Sequence, residues 1–135
     1  MGYLNPIASI GYAAFARRAA EAGVDGVLVV DCPVEEASEL AADLNRYALS
    51  PIFLVAPTTS RERLAKIMQY AKGFIYYVSL KGVTGAATLD LDEVRHKLAQ
   101  LRPLCALPIA VGFGVRDAKT AQALALFADA VVVGS

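Results

Sequence analysis

Gly26-Val27-Leu28-Val29-Val30-Asp31-Cys32-Pro33 is the stretch on which the fold turns. Its aliphatic residues run without a break, whereas a strand with one wet face would alternate apolar and polar side chains; the run therefore reads as a strand covered on both faces, as in a parallel sheet between helices. The segment before it, Tyr12 to Ala22, sets Tyr12, Phe15, Ala16, Ala19 and Ala22 on one helical face, with Arg17, Arg18 and Glu21 elsewhere and Gly23 as the stop. The segment after Pro33, Val34 to Arg46, carries Glu35 and Glu36 in its first turn, where carboxylates suit the helix dipole.

Working outward, similar runs recur as Pro51-Ile52-Phe53-Leu54-Val55-Ala56, Phe74-Ile75-Tyr76-Tyr77-Val78-Ser79, Pro108-Ile109-Ala110-Val111-Gly112 and Ala130-Val131-Val132-Val133-Gly134, with a first strand expected at Gly2. Between them, Ser60 to Ala71 follows a Thr59-x-x-Glu62 capping box and stops at Gly73, Asp90 is placed to cap Leu91 to Leu101, and Asp117 to cap Ala118 to Leu126. Successive strand starts lie about two dozen residues apart, room for one crossover helix and two short loops. The wider gap between Phe74 and Pro108 places an inserted loop at Leu80 to Thr88.

An α/β protein of this kind is either an open doubly wound sheet or part of an eight-fold β/α barrel. A dinucleotide-binding sheet calls for GxGxxG after its first strand, and Asn5-Pro6-Ile7 is nothing of the kind, so a (β/α)8 TIM barrel is expected. Such a barrel has eight units and about 250 residues. Residues 1–135 are accordingly expected to form one partial barrel domain with about six of the eight strands and no second domain, opening on a strand at Met1 and closing at Gly134-Ser135 where a helix would begin. Six strands leave two unpaired edges, from which self-association is expected.

Composition narrows the function. With 56% hydrophobic residues the chain is no candidate for disorder, and 13 basic against 13 acidic residues give no excess charge to grip nucleic acid or an anionic membrane. No apolar run reaches the roughly 18 residues of a membrane span, and the first residues lack the pattern of a signal peptide, so a cytoplasmic location is expected. Cys32 and Cys105 form no CxxC or Cys/His spacing, so neither a disulfide framework nor a metal site is indicated.

In β/α barrels the chemistry sits at the carboxyl ends of the strands. Those ends carry Tyr3 and Asn5; Asp31-Cys32-Pro33; Ala56-Pro57-Thr58; Ser79 and the loop Gly82-Val83-Thr84-Gly85; Gly112-Phe113-Gly114; and Gly134-Ser135. Glycines let a backbone approach a ligand and aim N–H groups at it, and three glycine sites on one rim favour a phosphorylated ligand over tight turns made for packing. Gly82 to Ala87 has the glycines and small residues of a lid. Tyr3 and Tyr76 either line an aromatic site or serve as core. Asp31 is the one strand-end carboxylate, a candidate general base or a cap for the helix after Pro33. His96, between Arg95 and Lys97, reads as a solvated position, and Cys32 has no histidine placed to activate it.

Met1-Gly2-Tyr3-Leu4-Asn5-Pro6, Gly23-Val24-Asp25-Gly26-Val27-Leu28-Val29-Val30-Asp31, Pro51 to Thr59, Tyr77-Val78-Ser79, Gly82-Val83-Thr84-Gly85-Ala86, Val111-Gly112-Phe113-Gly114 and Ala128-Asp129 through Gly134-Ser135 together resemble the tryptophan synthase alpha subunit in the same order. The resemblance covers essentially the whole chain, as the third to eighth strands of the family barrel. It implies a lyase of tryptophan biosynthesis that cleaves indole-3-glycerol phosphate to indole and glyceraldehyde 3-phosphate. Indole then passes to a beta subunit, which carries the pyridoxal phosphate, within an α2β2 complex; the alpha subunit itself needs no cofactor.

Residue by residue, the resemblance implies that Tyr3, Leu28, Val30, Leu54, Tyr76 and Phe113 line the substrate pocket, with Thr84 on the lid. It implies phosphate binding at Gly85, Gly114, Gly134 and Ser135, and a rim facing the beta subunit at Asn5 and Pro33. The family's acid/base glutamate and the aspartate that holds the indole N–H precede the residue matching Met1, and Asp31 corresponds to neither. The chain alone is therefore expected to be inactive. The other readings are a non-catalytic phosphate-binding fragment and a different phosphate-binding barrel enzyme, such as a sugar-phosphate isomerase or epimerase.

Overall fold

A computed structural model describes residues 1–79, 90–112 and 114–134. They belong to two compact units, one of Met1–Phe53 with Arg61–Gly73, the other of Leu54–Ser60 with Phe74–Ser135. The expected lid and inserted loop, Leu80 to Thr88, lie outside the described residues.

The first unit contains α1 (Leu4–Ile10), α2 (Tyr12–Glu21), β1 (Gly26–Leu28), a 3-10 turn (Val34–Glu36), α3 (Ala37–Arg46), the first four residues of β2 (Ser50–Val55) and α4 (Arg61–Tyr70). β1 and β2 pair in parallel, Gly26 opposite Ser50 and Leu28 opposite Ile52. α2 ends as expected, with Gly23 at φ 80°, a conformation that costs glycine little. Ile7, Ala16, Val27, Leu40, Leu44 and Leu49 form the core of this unit, with Phe15, Ala19, Val29 and Tyr47 packed against it. Each such aliphatic side chain contributes roughly 1.5–3 kcal/mol by leaving water.

Three expectations change here. The strand expected at Gly2 is a single parallel bridge to Val29, in which the Gly2 N–H donates to the Leu28 carbonyl at 2.9 Å and the Val30 N–H to the Gly2 carbonyl at 3.0 Å. The chain leaves the ladder at once because α1 begins at Leu4, a helix the sequence reading missed. The helix expected from Val34 starts instead as a 3-10 turn and becomes α-helical at Ala37. The helix after β2 starts at Arg61, so Ser60 and not Thr59 holds the cap position, and the Thr59 hydroxyl accepts the Ala56 N–H at 2.9 Å.

The second unit contains β3 (Ile75–Val78), α5 (Leu91–Leu101), a 3-10 turn (Arg102–Leu104), β4 (Ile109–Gly112), α6 (Ala118–Ala125) and β5 (Ala130–Val132). All pairing is parallel: Tyr76 lies opposite Ala110 and Val78 opposite Gly112, while Ala110 lies opposite Ala130. Both predicted caps are made. Asp90 accepts the Glu93 N–H at 3.0 Å, and Asp117 accepts the Thr120 N–H at 2.7 Å, which holds the Asp117 carboxyl below the usual carboxylate range. β4 is buried throughout, and Ile75, Val94, Leu98, Ile109, Val111 and Leu124 are core residues.

At the amino ends of these strands Asp129 makes a clamp. Its carboxylate accepts the Ile109 N–H at 2.7 Å and pairs with Arg102, whose other nitrogen donates to the Phe127 carbonyl at 3.2 Å. The Arg102 hydrogen bond, then that of Ile109, holds the Asp129 carboxyl below its ordinary value. This is the end of a β/α sheet where such residues serve stability.

Candidate functional site: the carboxyl ends of the strands

In the first unit the strands divide their side chains between two faces. Val27 belongs to the core with α2 and α3 and Val29 packs against it, so by alternation Leu28 and Val30 point to the opposite face. Leu28 is buried and Val30 half-buried. Tyr3, extended at φ −105° and ψ 154° beside the Gly2 bridge, is next in register to Val30 and 65% exposed. Leu28, Val30 and Tyr3, three of the expected pocket residues, thus share one face of this unit.

Asp31 acts neither as an unengaged base nor as a cap for the turn after Pro33, which has no side-chain cap. Its Oδ1 accepts the Leu4 N–H at 2.7 Å, so it satisfies the first turn of α1, 27 residues away in sequence. Asn5 and Pro33 are exposed, each within two residues of this hydrogen bond's partners. Cys32 is half-buried and its Sγ contacts the Pro33 carbonyl at 3.6 Å; burial, then the charges of Glu36 and Asp31, push the thiol pKa up. A thiol so placed stays protonated and inert. His96 is exposed beside Gln100.

In the second unit the same division holds. Tyr77, 3% exposed, lies on the α5 side: burial, then the Glu93 charge, push its phenol to about 12. Tyr76 therefore projects from the other face, half-buried. Its ring lies over Gly112, where a β-carbon would meet three Tyr76 atoms within 3.0 Å. Gly112 is thus glycine because Tyr76 needs the space.

Gly114 and Gly134 differ from it. Both are exposed with nothing near the position a β-carbon would take, and Gly114 has φ 78°, which disfavours any other residue. Open backbone of this kind at strand ends leaves room for an anion. Leu54, half-buried, lies two residues beyond Ile52 in β2. Thr84, Gly85, Phe113 and Ser135 lie outside the described residues.

A cavity of about 640 Å³ lies elsewhere. Met1, Tyr3, Ile7, Ile10, Phe15 and Val27 are among the residues that line it. Because Ile7 and Val27 are core residues, it is an uncovered flank of the first unit's core. Among the described residues no group of three or more His, Cys, Asp or Glu is placed to hold a metal, and no helix is long and apolar enough to cross a membrane.

Parallel strands alternating with helices, apolar side chains on the face away from those helices and open glycines at the strand ends define a protein of the β/α-barrel class. Tryptophan synthase subunit alpha from Legionella pneumophila str. Paris superposes with a TM-score of 0.90 at 44% identity, over 99% of this chain and 48% of that one. A chain of the tryptophan synthase a2b2 complex from Pyrococcus furiosus gives 0.82 at 39% identity, over 98% of this chain and 54% of that one. In sequence, the tryptophan synthase alpha chain family matches residues 1–135, and the tryptophan synthase alpha chain of Chromobacterium violaceum is 61% identical over 100% of this chain and 52% of its own length.

The chain belongs to the tryptophan synthase alpha chain family. It spans about half the length of the relatives it matches.

Proposed function

We propose that this chain is the phosphate-gripping and indole-lining part of a lyase in tryptophan biosynthesis, the third to eighth strands of its barrel. In the reaction indole-3-glycerol phosphate undergoes a retro-aldol cleavage: the bond from indole C3 to the glycerol carbon breaks, the hydroxyl on that carbon gives up its proton as the aldehyde forms, and C3 takes one up. Indole and glyceraldehyde 3-phosphate result. The match of the family over residues 1–135 carries this reading.

Tyr3, Leu28, Val30, Leu54, Tyr76 and Phe113 line the apolar pocket for the indole, with Thr84 on the lid above it. The backbone at Gly85, Gly114, Gly134 and Ser135 holds the phosphate. The open space at Gly114 and Gly134 supports that role, since backbone N–H groups left clear of side chains are what an anion requires. Asn5 and Pro33 face a beta chain that holds pyridoxal phosphate and receives the indole, in an α2β2 assembly. The proton-moving glutamate and its companion aspartate belong to the portion of the family barrel that precedes the residue matching Met1.

Two measurements test this. In the full-length protein carrying this segment, an indole-alkyl phosphate should raise the melting temperature well above the effect of ribose 5-phosphate at equal concentration, since a ligand at 100 times its Kd adds about 2.7 kcal/mol. Residues 1–135 alone should show no cleavage of indole-3-glycerol phosphate. Equal or greater stabilisation by the pentose phosphate would favour a sugar-phosphate enzyme instead. Turnover by the 135-residue chain would overturn the division of labour.

A further inference from the structure

We infer that Asp31 is a positioning residue that sets the substrate-facing tyrosine, Tyr3, by taking over the sheet ladder with its side chain. Gly2 makes a single parallel bridge to β1, its N–H donating to the Leu28 carbonyl and its carbonyl accepting the Val30 N–H. Were the strand to continue, the Leu4 N–H would be the next donor toward the β1 backbone. It donates instead to Asp31 Oδ1 at 2.7 Å, and at that residue the chain turns into α1. Tyr3 is the one residue between these two attachments.

The consequence is mechanical. Tyr3 is 65% exposed, so little packing fixes it; its backbone is fixed from Gly2 on one side and from the Leu4–Asp31 bond on the other. α1 has no cap of its own, because the residue at its cap position is Tyr3 itself, which offers no side-chain cap. Without the Asp31 acceptor the first turn of α1 loses a charge-assisted partner and Tyr3 is held from Gly2 alone. Asp31 touches no reacting atom in this account; it acts through Tyr3.

The inference rests on the placement of Tyr3 in the substrate pocket, and the experiment separates the two. In the full-length protein, kcat and KM for indole-3-glycerol phosphate are measured for Asp31→Ala, Asp31→Asn, Tyr3→Ala and the Asp31→Ala/Tyr3→Ala double variant, with hydrogen exchange at the Leu4 amide. Asp31→Ala should raise KM about threefold to tenfold, the size of a lost cap, leave kcat within about twofold, and speed Leu4 exchange. Asp31→Asn, which keeps the acceptor, should restore both. In the Tyr3→Ala background the Asp31 change should add less than about twofold. An unchanged KM in Asp31→Ala beside a raised KM in Tyr3→Ala, additive effects in the double variant, or no recovery with asparagine overturns the role of Asp31. An unchanged KM in Tyr3→Ala overturns the placement of Tyr3, and this inference with it.

Discussion

Gly112 shows how one missing side chain shapes a neighbour. Tyr76 leans over it closely enough that an added methyl would overlap the hydroxyl and the adjoining ring atoms, and Gly112, the last residue of β4, is held in register between Val78 and Val132. Overpacking of this kind typically costs 1–3 kcal/mol. We expect Gly112→Ala to fall in that range by urea denaturation. Adding Tyr76→Phe should recover part of the loss, because the hydroxyl is the nearest atom but the ring beneath it also lies within reach. A Gly112→Ala protein as stable as its parent would refute the steric account. The residue types at the strand ends were legible in sequence, but the face of Leu28 and Val30 was not: the resemblance alone put them in a pocket, and Tyr76 was left between an aromatic site and core, because unbroken apolar strands do not mark their helical side. Nor was the reason for Gly112: a glycine kept clear for a tyrosine on another strand is written the same way as a glycine kept clear for phosphate.

Among the helices, the ends defined by neighbours in sequence were the legible ones. Asp90 and Asp117 cap where a local pattern puts them, and Gly23 stops α2. α1 escaped notice because its acceptor, Asp31, comes from 27 residues downstream, and no local pattern shows that. The end of α3 at Arg46 was legible, but the turn that closes it was not. Ala48 takes φ 59° just beyond it, with its N–H donating to the Asn45 carbonyl at 3.1 Å and that of Leu49 to Leu44 at 2.9 Å, a turn usually made by glycine. A left-handed residue other than glycine costs about 1–2 kcal/mol, part of which a glycine gives back through a freer unfolded chain. Ala48→Gly should therefore stabilise the protein, by about 0.5–1 kcal/mol in a thermal melt. A lower melting temperature would show that the strain is relieved by contacts of the alanine methyl.

At the scale of the molecule, the exposed apolar surface of the first unit sets how the chain behaves alone. Met1, Tyr3, Ile10 and Val24 are all exposed around the 640 Å³ groove, and the Gly2 segment is bridged to Val29 on one side. Surface of that kind invites association. Residues 1–135 should grow in hydrodynamic size with concentration in light scattering, and Ile10→Lys with Val24→Lys should suppress the growth. A monodisperse monomer for the unsubstituted chain at all concentrations would sink this.

The two units are interleaved along the sequence. The chain passes from the first to the second after Phe53, returns at Arg61 and leaves again after Gly73. No single cut in the polypeptide yields both units whole: a break after Gly73 strips the second of Leu54–Ser60, and one after Phe53 strips the first of α4. For evolution or for an engineer, neither unit is a transferable cassette, and a gene joined at either boundary would inherit part of one unit stranded in the other.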